Sequence, residues 1–374
     1  MIRLFLTNNQ GVFDITDLVQ TVTWSGDYMQ CARTLEFELI SSPSDENIPV
    51  VACELGNNVV FMQDDRVLFD GFVFERHKST DDNVITITCY DRGIYLKRNE
   101  ATYKFSNMTP EAITKRICSD FGITPGNIAT TGIKITRNFI GISLYRIIQT
   151  AYTLASEQNG KKYMIRFEGP KLCVIEKTVT DETLIIEGGS NLMSASTTES
   201  IVNMINQVAI YDQNDNLVGI QNNPETIKLY GLMQAYLRKT ENEDAVAKAK
   251  RLLEDNGVEQ KITIENLGNI ANITGNTVVV REPYTGLYGF FYIDSDIHIW
   301  KRGQYYNKLV VNFKNIMDRQ EAGSLPNALG VKTSSKTKKK QSSEKWQYKY
   351  KPAQSTTISN NSGVSRWKTT LTPY

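Results

Sequence analysis

Histidine and cysteine are scarce in this chain of 374 residues, with two of the first and five of the second. The cysteines (Cys31, Cys53, Cys89, Cys118, Cys173) are odd in number and have neither a CxxC pair nor a regular spacing. That argues against a disulfide framework and against a zinc site, and leaves buried reduced thiols as their reading. With only His77 and His298 to serve as a base, neither of them near a GxSxG turn, nucleophilic catalysis lacks its parts. No GxxxxGKS/T or GxGxxG follows a strand-like run, so nucleotide binding has no support and no cofactor is expected. No run approaches the ~18 apolar residues of a membrane span, and the start, MIRLFLTNNQGVFDITD, lacks the basic, apolar and small-residue zones of a secretory signal. A protein without membrane insertion or an export address of its own is expected.

Net charge is also small, +1, but it is unevenly placed. Residues 332–374 hold ten Lys/Arg against the single acid Glu344, leaving 32 basic and 40 acidic residues in 1–331. An acidic body of formal charge −8 therefore carries a basic segment of +9.

What is present is mostly strand alternation. VVFM and VLFDGFVFE are apolar runs joined by the polar turn Gln63-Asp64-Asp65-Arg66, and NVITITCYD places Ile85, Ile87 and Cys89 on one face. This predicts a meander whose aspartates and His77 fall mostly in turns, where Asp and Asn satisfy local backbone groups. Gly71 inside its strand marks a bend or bulge. With IRLFL, VQTVTWSG and RTLEFELI upstream, residues 1–90 read as about six short strands.

The middle changes period. Thr109 as cap, Pro110 at the first helical position, the stripe Ile113, Ile117 and Phe121, and Gly122 as stop define one helix. Ser143 opens a second that ends at Asn159-Gly160, and the hairpin KYMIRF, EGPK, LCVIEK follows. From about residue 184 strands return around one helix, NEDAVAKAKRLLEDNG. The run VVVREPYTG, LYGFFYIDSDIHI, WKRGQ, YYNKLVVNF repeats the order of residues 60–91, with Gly289-Phe290 matching Gly71-Phe72. The expected fold is thus β-rich α+β: a first barrel in 1–99, a small α+β module in 100–178, a second barrel with one helix in 179–323, and a basic C-terminal arm in 324–374.

Two sets of residues carry candidate chemistry. Asp294, Asp296 and His298 stand at i, i+2 and i+4 of a strand and bear metal-ligand atoms. The alternative is a solvated strand face opposite Ile293, Ile297 and Ile299, and no further His or Cys stands nearby to complete a first shell. Paired carboxylates for glycan hydrolysis are defined in space and stay open. In the basic segment, Lys338, Lys339 and Lys340 precede Trp346, Tyr348 and Tyr350 at alternating positions, with Trp367 beyond. Phosphate neutralisation with base stacking is one reading. A strand added to a partner's sheet edge, aromatics on one side and Lys345, Lys349 and Lys351 at the rims, is the favoured one.

The stretch VLFDGFVFE…ITITCYDRGIYLKRNEATYKFSNMTPEAITKRICSDFGI resembles the N-terminal half of the baseplate hub proteins of contractile phage tails and phage-tail-like bacteriocins, especially the Gram-positive prophage type, and GLYGFFYIDSDIHIWKRGQYYNKLVVNF resembles their second barrel. The likeness spans about residues 1–320. It implies two tail-tube-like barrels per chain and a homotrimer whose six barrels match a hexameric tail tube, or its initiator, above and a trimeric central spike below. It further implies contacts with other baseplate subunits, no enzymatic activity, nucleic acid only as passing cargo, assembly in the bacterial cytoplasm, and a place in the tail baseplate of a virion, bacteriocin or other contractile injection system. Ile85, Ile87 and Phe74 would then lie in the barrel core. A peptidoglycan-active enzyme of a tail particle, or a nucleic-acid-binding protein acting through the basic segment, are the alternatives.

Overall fold

Alternating burial along the strands, with Leu4 and Leu6, Val22 and Trp24, or Leu35, Phe37 and Leu39 turned inward, dictates the first half of the architecture. The computed structural model describes residues 1–40, 51–79, 83–179, 183–239 and 244–326. Seven strands precede residue 92, one more than the six expected: β1 (Ile2–Asn8), β2 (Gly11–Asp14), β3 (Val19–Asp27), β4 (Thr34–Ile40), β5 (Asn58–Gln63), β6 (Arg66–Lys78) and β7 (Val84–Asp91). Asp64 takes φ 47° in the two-residue turn between β5 and β6, a conformation that Asp tolerates. Asp81 and Asp82, expected in the next turn, lie outside the described residues. Ile87 is fully buried and Ile85 packs on the core, but Phe74 is 39% exposed and is not a core residue. The reason is the alternation of β6, in which Phe69, Gly71 and Val73 face inward and Phe72 and Phe74 outward, where Phe74 meets Tyr90 and Tyr95. Gly71 itself is a close approach: a Cβ there would stand 2.4 Å from the Tyr90 carbonyl oxygen and 2.5 Å from the Phe69 ring.

The module between the two halves contains α1 (Gly93–Arg98), β8 (Glu100–Met108), α2 (Pro110–Asp120), β9 (Thr124–Ile128), β10 (Ile135–Ser143), α3 (Leu144–Asn159), β11 (Tyr163–Glu168) and β12 (Lys171–Glu176). Thr109 Oγ1 accepts from Ala112 N, Ser143 Oγ accepts from Arg146 N, and Gly160 closes α3 in the left-handed conformation. These are the expected caps. Helix α3 buries Leu144, Ile147, Ile148, Ala151 and Tyr152 against Ile113, Ile117, Phe139 and Ile165, forming the module's own core.

The remainder comprises β13 (Leu184–Glu187), β14 (Leu192–Ser200), β15 (Gln207–Tyr211), β16 (Leu217–Asn222), α4 (Pro224–Tyr230), β17 (Gln234–Arg238), α5 (Ala245–Asp255), β18 (Glu259–Leu267), β19 (Thr277–Glu282), β20 (Leu287–Lys301) and β21 (Gln304–Asn312). Among the described residues two helices occur here where one was expected. Strands β15, β16 and β17 form a separate sheet covered by α5, with a small core of Val208, Ile210, Leu237 and Ala249.

The internal repeat is visible in the topology. A path β3-β4-β7-β6-β5 on one side and β14-β18-β21-β20-β19 on the other run through the same sequence of antiparallel pairings. Both copies carry a bulge in the first strand (between Val19 and Val22, and between Leu192 and Ser194) and another in the long strand (between Val73 and Glu75, and between Ile293 and Ser295). Aligning the bulges matches Val73 with Ile293, and therefore Gly71 with Phe291. The match of Gly71 to Gly289 is thus displaced by two residues, because local likeness of Gly-Phe pairs is outweighed by the register that the bulges fix. The two copies fuse into one 13-stranded sheet where the second half of β20 pairs with β3, from Ser295↔Asp27 to Lys301↔Thr21.

Candidate functional site

The β20 bulge determines where the candidate metal ligands go. Before it, Phe291 and Ile293 point into the core of the second β unit; after it, Trp300 enters the core of the first. Asp294 (6% exposed), Asp296 (0%) and His298 (0%) are consequently all buried at the seam, so the expectation of a solvated strand face is corrected. A polar strand face next to solvent and one facing a second sheet have the same sequence.

Arg33 from the β3–β4 turn donates through both terminal nitrogens to the two carboxylate oxygens of Asp296, with Nη1 to Oδ1 at 3.0 Å. Thr274 adds its backbone N–H at 2.6 Å and its hydroxyl at 2.5 Å to Oδ1. Gly26, opposite Asp296 in the register, makes room, since a Cβ there would meet Arg33 Nη1 at 2.3 Å. The guanidinium also lies 3.9 Å above the Trp24 ring. Burial alone would raise the Asp296 pKa, but the Arg33 charge and the hydrogen bonds from His298 and Arg33 outweigh it and hold the carboxyl well below its usual range.

His298 has its tautomer fixed by its neighbours. Asn307 Oδ1 accepts the Asn269 N–H at 2.7 Å, so the Asn307 amide nitrogen is the atom 2.9 Å from His298 Nδ1. Nδ1 is therefore an acceptor, and Nε2–H faces the Asn272 carbonyl and Asp296 Oδ2, each at 3.2 Å. Burial lowers the imidazole pKa against the pull of Asp296 and favours this neutral form. Tyr305 OH lies 2.8 Å from Nδ1, and its ring stacks on Trp300 with centroids 4.3 Å apart.

Asp294, displaced by the bulge, belongs to a different cluster. Its Oδ1 stands 3.7 Å from Lys177 Nζ, which donates at 2.8 Å to the Ile316 carbonyl. Burial pushes the Asp294 carboxyl up to about 6 despite Lys177, and burial also lowers Lys177. Nearby, Tyr145 of α3 donates to Asp318 Oδ2 at 2.5 Å, so the segment after β21 is fastened to the module.

The three candidate ligands do not converge, and among the described residues no group of three or more His, Cys, Asp or Glu is arranged to hold a metal ion. The acceptor atoms of the fully buried Asp296 and His298 are committed to protein donors, an arrangement suited to joining the sheets. Arg33, Thr274, Asn272, Tyr305, Asn307 and Lys177 were not singled out by sequence reasoning. The one local signal that could have pointed to them is the Asn-rich loop NLGNIANITGN, a segment rich in backbone-binding amides. Lys338, Lys339, Lys340, Trp346, Tyr348, Tyr350 and Trp367 lie outside the described residues. No described helix is long and apolar enough to cross a membrane.

The architecture is that of prophage tail proteins. It is similar to the 43 kDa tail protein of prophage MuSo2 from Shewanella oneidensis (TM-score 0.64, 13% identical, covering 83% of this chain and 97% of that one). It is also similar to the tail protein from Neisseria meningitidis MC58 (TM-score 0.58, 14% identical, covering 83% and 96%). The chain belongs to the YQBQ-like family, whose profile matches residues 22–312. It is 27% identical over 326 residues to the phage-like element PBSX protein XkdQ of Bacillus subtilis strain 168, covering 85% of this chain and 98% of that protein. The expected β-rich α+β fold and the likeness to phage baseplate hub proteins are both shown, and the chain is a phage tail or baseplate-like protein.

Proposed function

We propose that this protein is the structural hub of a contractile tail baseplate, a homotrimer that presents six similar β units as a pseudo-sixfold ring, joining the hexameric tail tube to the trimeric spike. The observation that carries this reading is the internal repeat: two five-strand units of the same topology and bulge positions, fused in one chain through β20 and β3. Three such chains match six tube subunits on one side and keep threefold symmetry for a spike on the other. The proposed division places the first barrel in 1–99, the α+β module in 100–178, the second barrel in 179–323 and a basic arm in 324–374. The arm docks on a neighbouring baseplate subunit or the spike through Trp346, Tyr348, Tyr350 and Trp367, drawn in by Lys338, Lys339 and Lys340. The role is structural and not enzymatic, in a particle assembled in the bacterial cytoplasm. Supporting this, Asp296 and His298 are fully buried and spend their hydrogen bonds on the seam. Native mass measurement of the full chain tests the reading: a mass of three chains is expected, and a chain that stays monomeric overturns it.

A further inference from the structure

The seam inside one chain is a template for the seam between chains. At the internal seam, β3 of the first unit pairs with β20 of the second beyond its bulge, with Asp296 opposite Gly26 and Ile297 opposite Ser25. By the bulge alignment, β6 is the counterpart of β20, and β14 is the counterpart of β3. Past its own bulge, β6 pairs with β7 along one edge only, and β5 stops opposite Phe72. Strand β14 pairs, among the described residues, with β18 alone. Among the described residues, the two strand edges that would rebuild the seam are therefore unpaired, and they lie at opposite ends of the repeat. Glu75, His77 and Lys78 on one, and Ser196, Thr198 and Glu199 on the other, are exposed.

We infer that β14 of one copy adds antiparallel to the Glu75–Lys78 edge of β6 in the next copy, in a register that sets Arg76 opposite Glu199 and His77 opposite Thr198. The inference rests on the hub reading and adds its interface. The occupant is a second copy of this chain for two reasons. The geometry that β6 needs is the one β14's counterpart already supplies to β20, which no unrelated strand is constrained to match. The charges also agree: the row that holds the Arg33–Asp296 ion pair inside the chain holds Arg76 and Glu199 between chains, where Arg76, now donating to the Cys53 carbonyl at 2.6 Å, and Glu199, now accepting from Gln260 at 3.2 Å, turn to each other. Antiparallel addition satisfies the backbone groups of both edges, and a contact between different surfaces of successive copies closes into a ring at three chains.

The test places cysteines at His77 and Thr198 of the full-length protein (H77C/T198C) and applies a short bismaleimide, with S25C/I297C as a control that links within one chain. Covalent dimers and trimers on a denaturing gel are expected from the first variant and none from the control. A species of three chains by native mass that yields no covalent oligomer overturns the seam and leaves the hub reading standing, whereas a monomeric chain overturns both. As a second measurement, R76E and E199R should each raise the concentration at which the trimer dissociates by tenfold or more, and R76E/E199R should restore it. Unchanged dissociation in both single variants overturns the register.

Discussion

Arg33 and Asp296, 263 residues apart in sequence, form a two-pronged ion pair across the seam, with the carboxylate fully buried and the guanidinium side chain 14% exposed. The carboxylate has no water to fall back on, and the guanidinium has little. Removing one partner leaves the other buried and uncompensated, which costs about 3–5 kcal/mol. R33M and D296A should therefore each lower the denaturant midpoint sharply. R33M/D296L, which removes both charges, should recover a large part of the loss. Equal losses in the double and the single variants would mean that the pair acts through something other than its charge.

Stability should rise as pH falls from 8 to about 5. Burial pushes Asp91 up to about 7 against the backbone N–H groups of Arg33 and Gly93, and pushes Asp294 up to about 6, both from 3.8. The folded chain thus binds these protons more tightly than the unfolded one. Their contribution is complete below the unfolded pKa and is lost as pH climbs through 6 and 7. Two groups act in the opposite sense: His298, lowered by burial, takes up one proton less than in the unfolded chain as pH falls through the usual imidazole range, against two gained by Asp91 and Asp294, and Asp296, held low, loses its contribution as pH drops below the usual carboxylate range. Thermal melts at pH 8, 7, 6 and 5 should show increasing midpoints, with a reversal in stronger acid; a steady decline from pH 8 to pH 5 would contradict the assignment.

Local chemistry was legible in the sequence, and long-range partnership was not. The Thr109 and Ser143 caps, the Gly160 stop and the β5–β6 and β11–β12 hairpins depend on residues within four positions of one another, and each appears where expected. The burial of Asp296 and His298 depends instead on which strand lies opposite, and β3 is more than 260 residues away. The Gly71 alignment failed because a bulge shifts the register without changing composition, and Phe74 failed because the apolar run VLFDGFVFE has large residues on both faces of its strand.

Glycines should differ sharply in their tolerance of alanine. A Cβ on Gly93 would stand 2.2 Å from the Cys31 carbonyl oxygen, where only backbone can yield, whereas nothing lies within 4 Å of one on Gly188. G93A should destabilise by about 1–3 kcal/mol through forced backbone displacement. G188A should stay within about 0.5 kcal/mol of the parent. Chemical denaturation of the two variants measures both.

All five cysteines are free and buried, and burial raises each thiol, Cys53 and Cys118 to about 11. Thiolate is the reactive form. Native protein at pH 8 should accordingly resist iodoacetamide, and unfolded protein should take up five labels. Rapid labelling of the native chain would place at least one thiol at the surface and would remove the basis for a clean cross-linking background.

The basic arm offers the last prediction. Residues 1–326 form one compact unit with hydrophobic cores of its own, so deleting residues 332–374 should leave the melting behaviour of that unit unchanged. Ten Lys/Arg against one acid give that segment long-range attraction to an acidic partner, which weakens as salt shortens the screening length. Attraction of this kind has no register, whereas aromatic side chains such as Trp346, Tyr348, Tyr350 and Trp367 can supply the area for docking in one place that the proposal assigns them. The truncated chain should trimerise yet fail to retain its baseplate partner, or retain it only at low salt. Replacing Trp346 and Tyr348 by Ala should weaken that retention by about 2 kcal/mol, more than replacing Lys338 and Lys339 does. If the truncated protein enters complete particles at normal yield, or if the isolated segment holds short DNA at physiological salt while ignoring baseplate partners, the arm is not a docking element and its lysines serve nucleic acid instead.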